Sequence, residues 1–127
     1  MSVPENLLYT ETHEWVGAIG DGIVRIGVTD HAQHEMGDIV FVEMPAIGDA
    51  ITAGGRFASI ESVKAVSDIF SPVSGIVTAV NDEVADDPAK LNQDAFGAWM
   101  IEAEGVDISA NAKLMTAEKY KAFISEA

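Results

Sequence analysis

Residues 54–75 read GGRFASIESVKAVSDIFSPVSG, and the apolar spacing of this stretch admits two folds. Ile60, Val63, Val66 and Ile69 recur at every third position, like a helical stripe, and periodicity alone does not choose between helix and strand. The flanking residues do choose. Gly54-Gly55 and Pro72 bracket the segment, Val, Ile and Phe supply its apolar content, and the hydroxyls of Ser59, Ser62, Ser67 and Ser71 would compete with a helical backbone. The reading is a β-hairpin with Val63-Lys64-Ala65 at its tip. Lys64 is the only basic residue of the stretch besides Arg56, in a chain with 7 Lys and Arg against 21 Asp and Glu. A lysine on such a tip projects into water, where its amine is open to covalent modification and does little for the fold.

Outward from the hairpin, glycines divide the sequence into pieces that strands can fill and few helices could. IVRIGV, DIVFVEM, RFASIE, GIVTAVN and WMIEAEG are rich in Val, Ile and Phe and partly alternating, which predicts half-buried strands in a mainly β domain. Helical signals are confined to two places. TDHAQHEMG offers Thr29 as N-cap and Gly37 as C-cap around a short helix near 29–36. TAEKYKAFISEA offers Thr116 as cap, with Leu114, Tyr120, Phe123 and Ile124 as an apolar stripe for a C-terminal helix docked on the sheet. NDEVADDPAKLNQDAFG reads as a long surface loop with solvated carboxylates. Trp15, Phe41, Phe57, Phe70 and Trp99 read as packing residues.

The 127 residues make one domain, 1–127. No apolar run is long enough to span a bilayer, and the opening MSVPENLLYTETHEWV has neither the basic-then-apolar order of a secretory signal nor the arginines of a transit peptide. We therefore expect a cytoplasmic, monomeric chain with no membrane partner. The absence of cysteine removes disulfides, thiolate metal sites and cysteine nucleophiles together. A formal charge of −14 opposes nucleic-acid binding, which needs clustered Lys and Arg, and favours encounters with basic protein surfaces.

ESVKA, with Glu61 three residues before Lys64 and Gly75 eleven after it, resembles the modification site of lipoyl carrier domains. THEWV at 12–16, IGVTDHAQ at 26–33, GDIVFVEMP at 37–45, ESVKAVSDIFSPVSGIV at 61–77, PAKLN at 88–92 and FGAWM at 96–100 together resemble, in order and spacing, the H-protein family of the glycine cleavage system. The resemblance runs over nearly the whole chain. It implies a flattened lipoyl/biotinyl-type barrel-sandwich of two small sheets, its lipoyl-binding core spanning about residues 23–105. Lys64 then carries lipoate through an amide, and Glu61 and Gly75 are recognised by the lipoylating enzyme. Val63 and Ala65 flank Lys64 where biotin carriers place methionines. Val63 also stands where lipoyl domains of 2-oxo-acid dehydrogenases usually have aspartate.

The family further implies the partners. A pyridoxal-phosphate glycine decarboxylase would leave an aminomethyl group on the lipoyl arm, a folate-dependent aminomethyltransferase would remove it, and dihydrolipoyl dehydrogenase would reoxidise the arm. The chain is then a carrier and not an enzyme. Thr12, Glu14 and Asp68 match the positions that hold the loaded arm in a cleft, where carboxylates would face its amine. Alternatives are a stand-alone lipoyl relay, a 2-oxo-acid dehydrogenase-type lipoyl domain and, remotely, a small metal-dependent hydrolase. That last reading uses His31 and His34, three apart on the short helix, with His13 as a third ligand and Asp30 or Glu35 nearby.

Overall fold

A computed structural model describes residues 2–125. In chain order the elements are β1 (Leu8–Tyr9), β2 (Glu14–Gly20), β3 (Ile23–Val28), α1 (Asp30–Met36), β4 (Ile39–Glu43), β5 (Ala50–Ile51), β6 (Arg56–Ser62), β7 (Val66–Phe70), β8 (Gly75–Val80), α2 (Asp82–Asp86), α3 (Lys90–Gln93), β9 (Ile101–Glu104) and α4 (Ala117–Ser125), with one 3₁₀ turn at Ile108–Ala110. The strands form a six-stranded sheet in the order β1-β2-β3-β9-β8-β5 and a three-stranded sheet in the order β4-β6-β7. All pairings are antiparallel. This is the expected mainly β architecture of two sheets with a short first helix and a C-terminal helix. Among the described residues no helix is long and apolar enough to cross a membrane.

The sheets share one core. Ile26, Val28, Val77 and Ile101 of the larger sheet cluster with Ile39, Val42, Ile60 and Ile69 of the smaller. Each such side chain contributes roughly 2 kcal/mol on leaving water, which fixes the register of the hairpin. A one-residue slip of β6 would exchange buried Ile60 for exposed Glu61, so apolar burial decides where the turn falls.

Two sequence expectations need correction. The segment from Asn81 to Gly97 is not a loop: it holds α2 and α3, each inserting one completely buried side chain, Val84 and Leu91, into the core. Asn81 caps α2 by accepting from the Glu83 N–H at 3.2 Å. Only the solvated carboxylates of the expected loop remain, since Asp82, Glu83, Asp86 and Asp87 are exposed. The second correction concerns β2, whose glycines look like breaks in the sequence. Gly17 instead leaves room for Leu7, and Gly27 on β3 lies under the Trp15 ring, where an added Cβ would stand 2.7 Å from the indole. Here an aromatic side chain covers a glycine in the neighbouring strand.

The C-terminal helix docks through a second cluster. Tyr120 is fully buried and stacks on Tyr9 with ring centroids 4.6 Å apart, and Phe123 and Ile124 pack beside them. Leu114, expected in the same stripe, precedes the helix and packs on the main core. Thr116 caps α4 as anticipated, accepting from the Lys119 N–H at 3.3 Å.

Asn92 of α3 joins three elements. Its amide nitrogen donates to the Gly37 carbonyl at 2.8 Å and to Gln33 Oε1 at 3.0 Å, while its Oδ1 accepts from the Ile39 N–H at 2.9 Å. Asn92→Ala would leave the Ile39 N–H without this acceptor beside the core, so we expect a loss of about 2 kcal/mol in urea unfolding. An unchanged midpoint would show that water replaces the amide there.

Candidate functional site

The hairpin between β6 and β7 closes at Ser62–Ala65. Glu61 pairs with Val66, and the Ser62 N–H donates to the Ala65 carbonyl at 2.8 Å. Ser62 is buried beneath the turn, where its Oγ accepts from the Ala65 N–H at 3.3 Å. The Val63 N–H donates to the Asp38 carbonyl at 3.0 Å, tying the tip to the link between α1 and β4. Lys64 is exposed between these anchors, as its place on the tip requires. Its stem lies across Gly37: a Cβ added there would meet Lys64 Cε at 3.4 Å, and the glycine's φ of +76° is itself poorly tolerated by other residues. None of the ion pairs among the described residues involves Lys64.

A groove of about 330 Å³ runs from Lys64 between β7 and α1, with Met36, Ile69, Asp68, Thr12 and His13 along it. That volume falls in the range of small-ligand sites. A second recess of about 180 Å³, lined by Glu14, Phe70 and Lys113 among others, adjoins the first through Thr12. The residues expected in one cleft therefore divide. Lys64, Thr12 and Asp68 share the first groove, and Glu14 belongs to the second.

Glu14 and Asp68 differ in state. Asp68 is exposed and accepts from Arg56 Nε at 3.0 Å, while the same guanidinium reaches Glu43 at 2.9 Å. Glu14 is only 1% exposed. Its Oε1 accepts from Thr10 Oγ1 at 2.6 Å and from Thr12 Oγ1, and its Oε2 accepts from the Phe70 N–H at 3.3 Å. No cation joins it in the ion pairs among the described residues. Burial pushes its carboxyl above the usual range, although the hydrogen bonds oppose the shift. A buried carboxylate held by hydroxyls and an amide, beside an open recess, is suited to receive an ammonium.

The two positions flanking the lysine in sequence lie on different sheets. Glu61 is exposed on β6 between Phe41 and Val66. Gly75 opens β8 in the larger sheet, where an added Cβ would stand 2.6 Å from the Glu104 carbonyl oxygen and 2.8 Å from Val106. Close approach of the chain alone demands glycine there, and no turn is involved. The histidines do not assemble as ligands. His13, at φ 70°, packs against His31 with centroids 4.5 Å apart and ring planes tilted by 39°, and lies 2.8 Å through Nδ1 from the Tyr120 hydroxyl. His31 meets Glu35 at 3.4 Å, and His34 is exposed. Among the described residues no group of three or more His, Cys, Asp or Glu is arranged to hold a metal ion.

Gly37, Asp38 and Met36 were not anticipated as parts of the site, and His13 was anticipated only as a metal ligand. Gly37 offered a signal, a glycine closing a helix just before a strand, but nothing in the sequence showed that a lysine 27 positions later would lie on it.

The raised Glu14 carboxyl has a definite linkage sign. The folded chain keeps a proton that the unfolded chain releases, so ionising Glu14 removes stability as pH rises through the carboxylate range toward the folded pKa. Glu14→Gln carries no such titration. The melting temperature of the parent minus that of the variant should therefore fall as pH rises above the ordinary carboxylate range of about 4. A difference that grows as pH rises there would show that the hydrogen bonds outweigh burial.

The glycine cleavage H-protein family model matches residues 7–127. The chain is 52% identical over 126 residues to a glycine cleavage system H protein of Koribacter versatilis, covering 99% of this chain and 97% of the relative. It is 53% identical over 121 residues to one of Bacillus cereus, covering 94% of each. The crystal structure of a glycine cleavage system H protein from Mycobacterium marinum superimposes with a TM-score of 0.87 at 35% identity, covering 97% of this chain and 99% of that one. Sequence, fold and an exposed lysine on an anchored hairpin agree, and the chain belongs to the glycine cleavage H-protein family of lipoyl carriers.

Proposed function

We propose that Lys64 carries lipoate through an amide bond and that the chain ferries an aminomethyl group and electrons among the enzymes of glycine cleavage. The observation that carries this reading is the placement of Lys64, exposed and outside the ion pairs among the described residues, on a turn whose backbone is pinned from two sides. The cofactor, when attached, supplies a disulfide able to take up the aminomethyl group and two electrons. The chain supplies position. Ser62 and Asp38 fix the root of the arm, and the groove beside Lys64 offers Met36 and Ile69 as an apolar bed of adequate size.

Glu14 has a complementary role at the far end. Thr10 and Thr12 orient its carboxylate, and Phe70 lines the recess beside it. We assign Thr12, Glu14 and Asp68 to holding the amine of the loaded arm, with Thr12 at the junction of the two recesses. Glu61 and Gly75 are assigned to recognition by the lipoylating enzyme, Gly75 through the packing it permits. The partners are the pyridoxal-phosphate glycine decarboxylase, the aminomethyltransferase and dihydrolipoyl dehydrogenase, met in turn in the cytoplasm by a monomeric carrier. Tethering raises the local concentration of the intermediate at each of them, and the charge of −14 steers the chain toward basic docking surfaces.

Lys64→Arg separates this role from any structural one. Arginine keeps the charge and a long stem, but its guanidinium stays protonated and cannot be acylated. The variant should melt within a few degrees of the parent, as an exposed substitution does, and should support no glycine-dependent NADH formation with the other three components and folate. Sustained turnover would overturn the carrier reading.

A further inference from the structure

The outer face of the three-stranded sheet carries an apolar patch beside Lys64. Phe41, Glu61 and Val66 form one row across β4, β6 and β7, with Phe41 55% and Val66 66% exposed. A register shift between Ile39 and Phe41 also leaves Val40 half exposed, and Val63 on the tip is 69% exposed. Among the described residues the other exposed large apolar side chains, Ile19, Ile23, Ile47 and Ile76, lie outside this sheet. The next row is Glu43, Ser59 and Asp68, whose acids share Arg56. Glu61 therefore stands in the middle of an apolar row, and none of the ion pairs among the described residues includes it.

Building on the carrier reading, we propose that Phe41, Glu61 and Val66, with Val40 and Val63, form the docking surface for the enzyme that acylates Lys64. That enzyme meets the row with an apolar recess edged by a lysine or arginine opposite Glu61. Two arguments select this occupant. Reach is the first: before modification Lys64 extends only the length of its own stem, so the acylating enzyme must close over the hairpin itself, whereas enzymes that use the finished arm meet it at a distance. Charge is the second. A second copy of this chain would bring Glu61 and a net −14 against the same charges, and an anionic lipid surface is repelled likewise. In the acylation, the Nζ ammonium gives up one proton to become an amine, attacks the carbonyl carbon of lipoyl-adenylate, and gives up a second proton to a base as the adduct collapses. The amide C–N bond forms, the C–O bond to phosphate breaks, and AMP leaves with that electron pair.

The test uses purified lipoate ligase with lipoate and MgATP, following mass gain of the intact chain. Phe41→Ser with Val66→Ser should slow initial acylation and weaken binding of the unmodified chain to the ligase by about tenfold or more, as loss of central apolar contacts does. Its melting temperature should stay near that of the parent, and Ile19→Ser with Ile47→Ser should acylate normally. Once loaded by long incubation, the hairpin variant should be reduced by dihydrolipoyl dehydrogenase within about twofold of the parent rate. Should the double variant fold poorly, Val66→Ser alone carries the same expectation. Unchanged acylation of a folded variant overturns the docking surface, and so does an equal loss in the Ile19 and Ile47 control. Equal losses in acylation and in dehydrogenase turnover overturn the choice of occupant. A parent chain that takes no acyl group overturns the carrier reading and this proposal together.

Discussion

The hydrogen bond from the Val63 N–H to the Asp38 carbonyl joins the hairpin tip to the rest of the molecule. Without it the turn would keep its own two strands, Ser62 beneath it and the pairing of Ser62 with Ile39 of β4, but nothing among the described residues would hold the tip beyond Ser62. Asp38 is in turn placed by Gly37, whose left-handed backbone closes α1, and by Asn92, which accepts from Ile39 and donates to the Gly37 carbonyl. Asn92 is held by a helix whose one completely buried residue, Leu91, is sunk in the core. The path from core to lysine is thus a short series of hydrogen bonds, and it puts an exposed side chain on an anchored root. A tethered arm gains local concentration only if its attachment point is fixed while the arm itself is not.

A second constraint is electrostatic. The chain is strongly acidic, yet its acids are in different states around the site. Asp68 and Glu43 are exposed and share Arg56, an arrangement of small energetic value in water. Glu14 is buried with three hydrogen-bond donors on its side chain and with no partner among the ion pairs of the described residues, at the price of a raised pKa. An ammonium arriving at the adjoining recess would relieve that cost, and an uncharged arm would not. In the proposed function, this difference is what would favour a loaded arm over an empty one.

The hairpin was legible because its apolar residues are β-branched or aromatic and its ends are punctuated, and the structure places Lys64 where that reading put it. The strands beyond it followed from the same chemistry. β2 was less legible, since Gly17 and Gly20 read as breaks and their neighbours Leu7 and Ile23 reveal themselves only in three dimensions. α2 and α3 were missed because each is short and contributes one completely buried side chain, too little for a periodic signal. The candidate cleft was legible only through family resemblance. Nothing local distinguishes buried Glu14 from exposed Asp68, and the division of their surroundings into two recesses depends on how β2, α1 and β7 come together. Gly75 shows the opposite case: its position was marked, and the packing against Glu104 that explains it lies 29 residues away in sequence.

The claim on which everything else rests is that Lys64 is the site of a covalent acyl arm. Peptide mapping by tandem mass spectrometry, on protein purified from its native host, tests it most directly. One lipoyl or octanoyl adduct, confined to the peptide that contains Lys64, is the expected result. An adduct on Lys90 or Lys113, or a Lys64 peptide that is always unmodified, would contradict it.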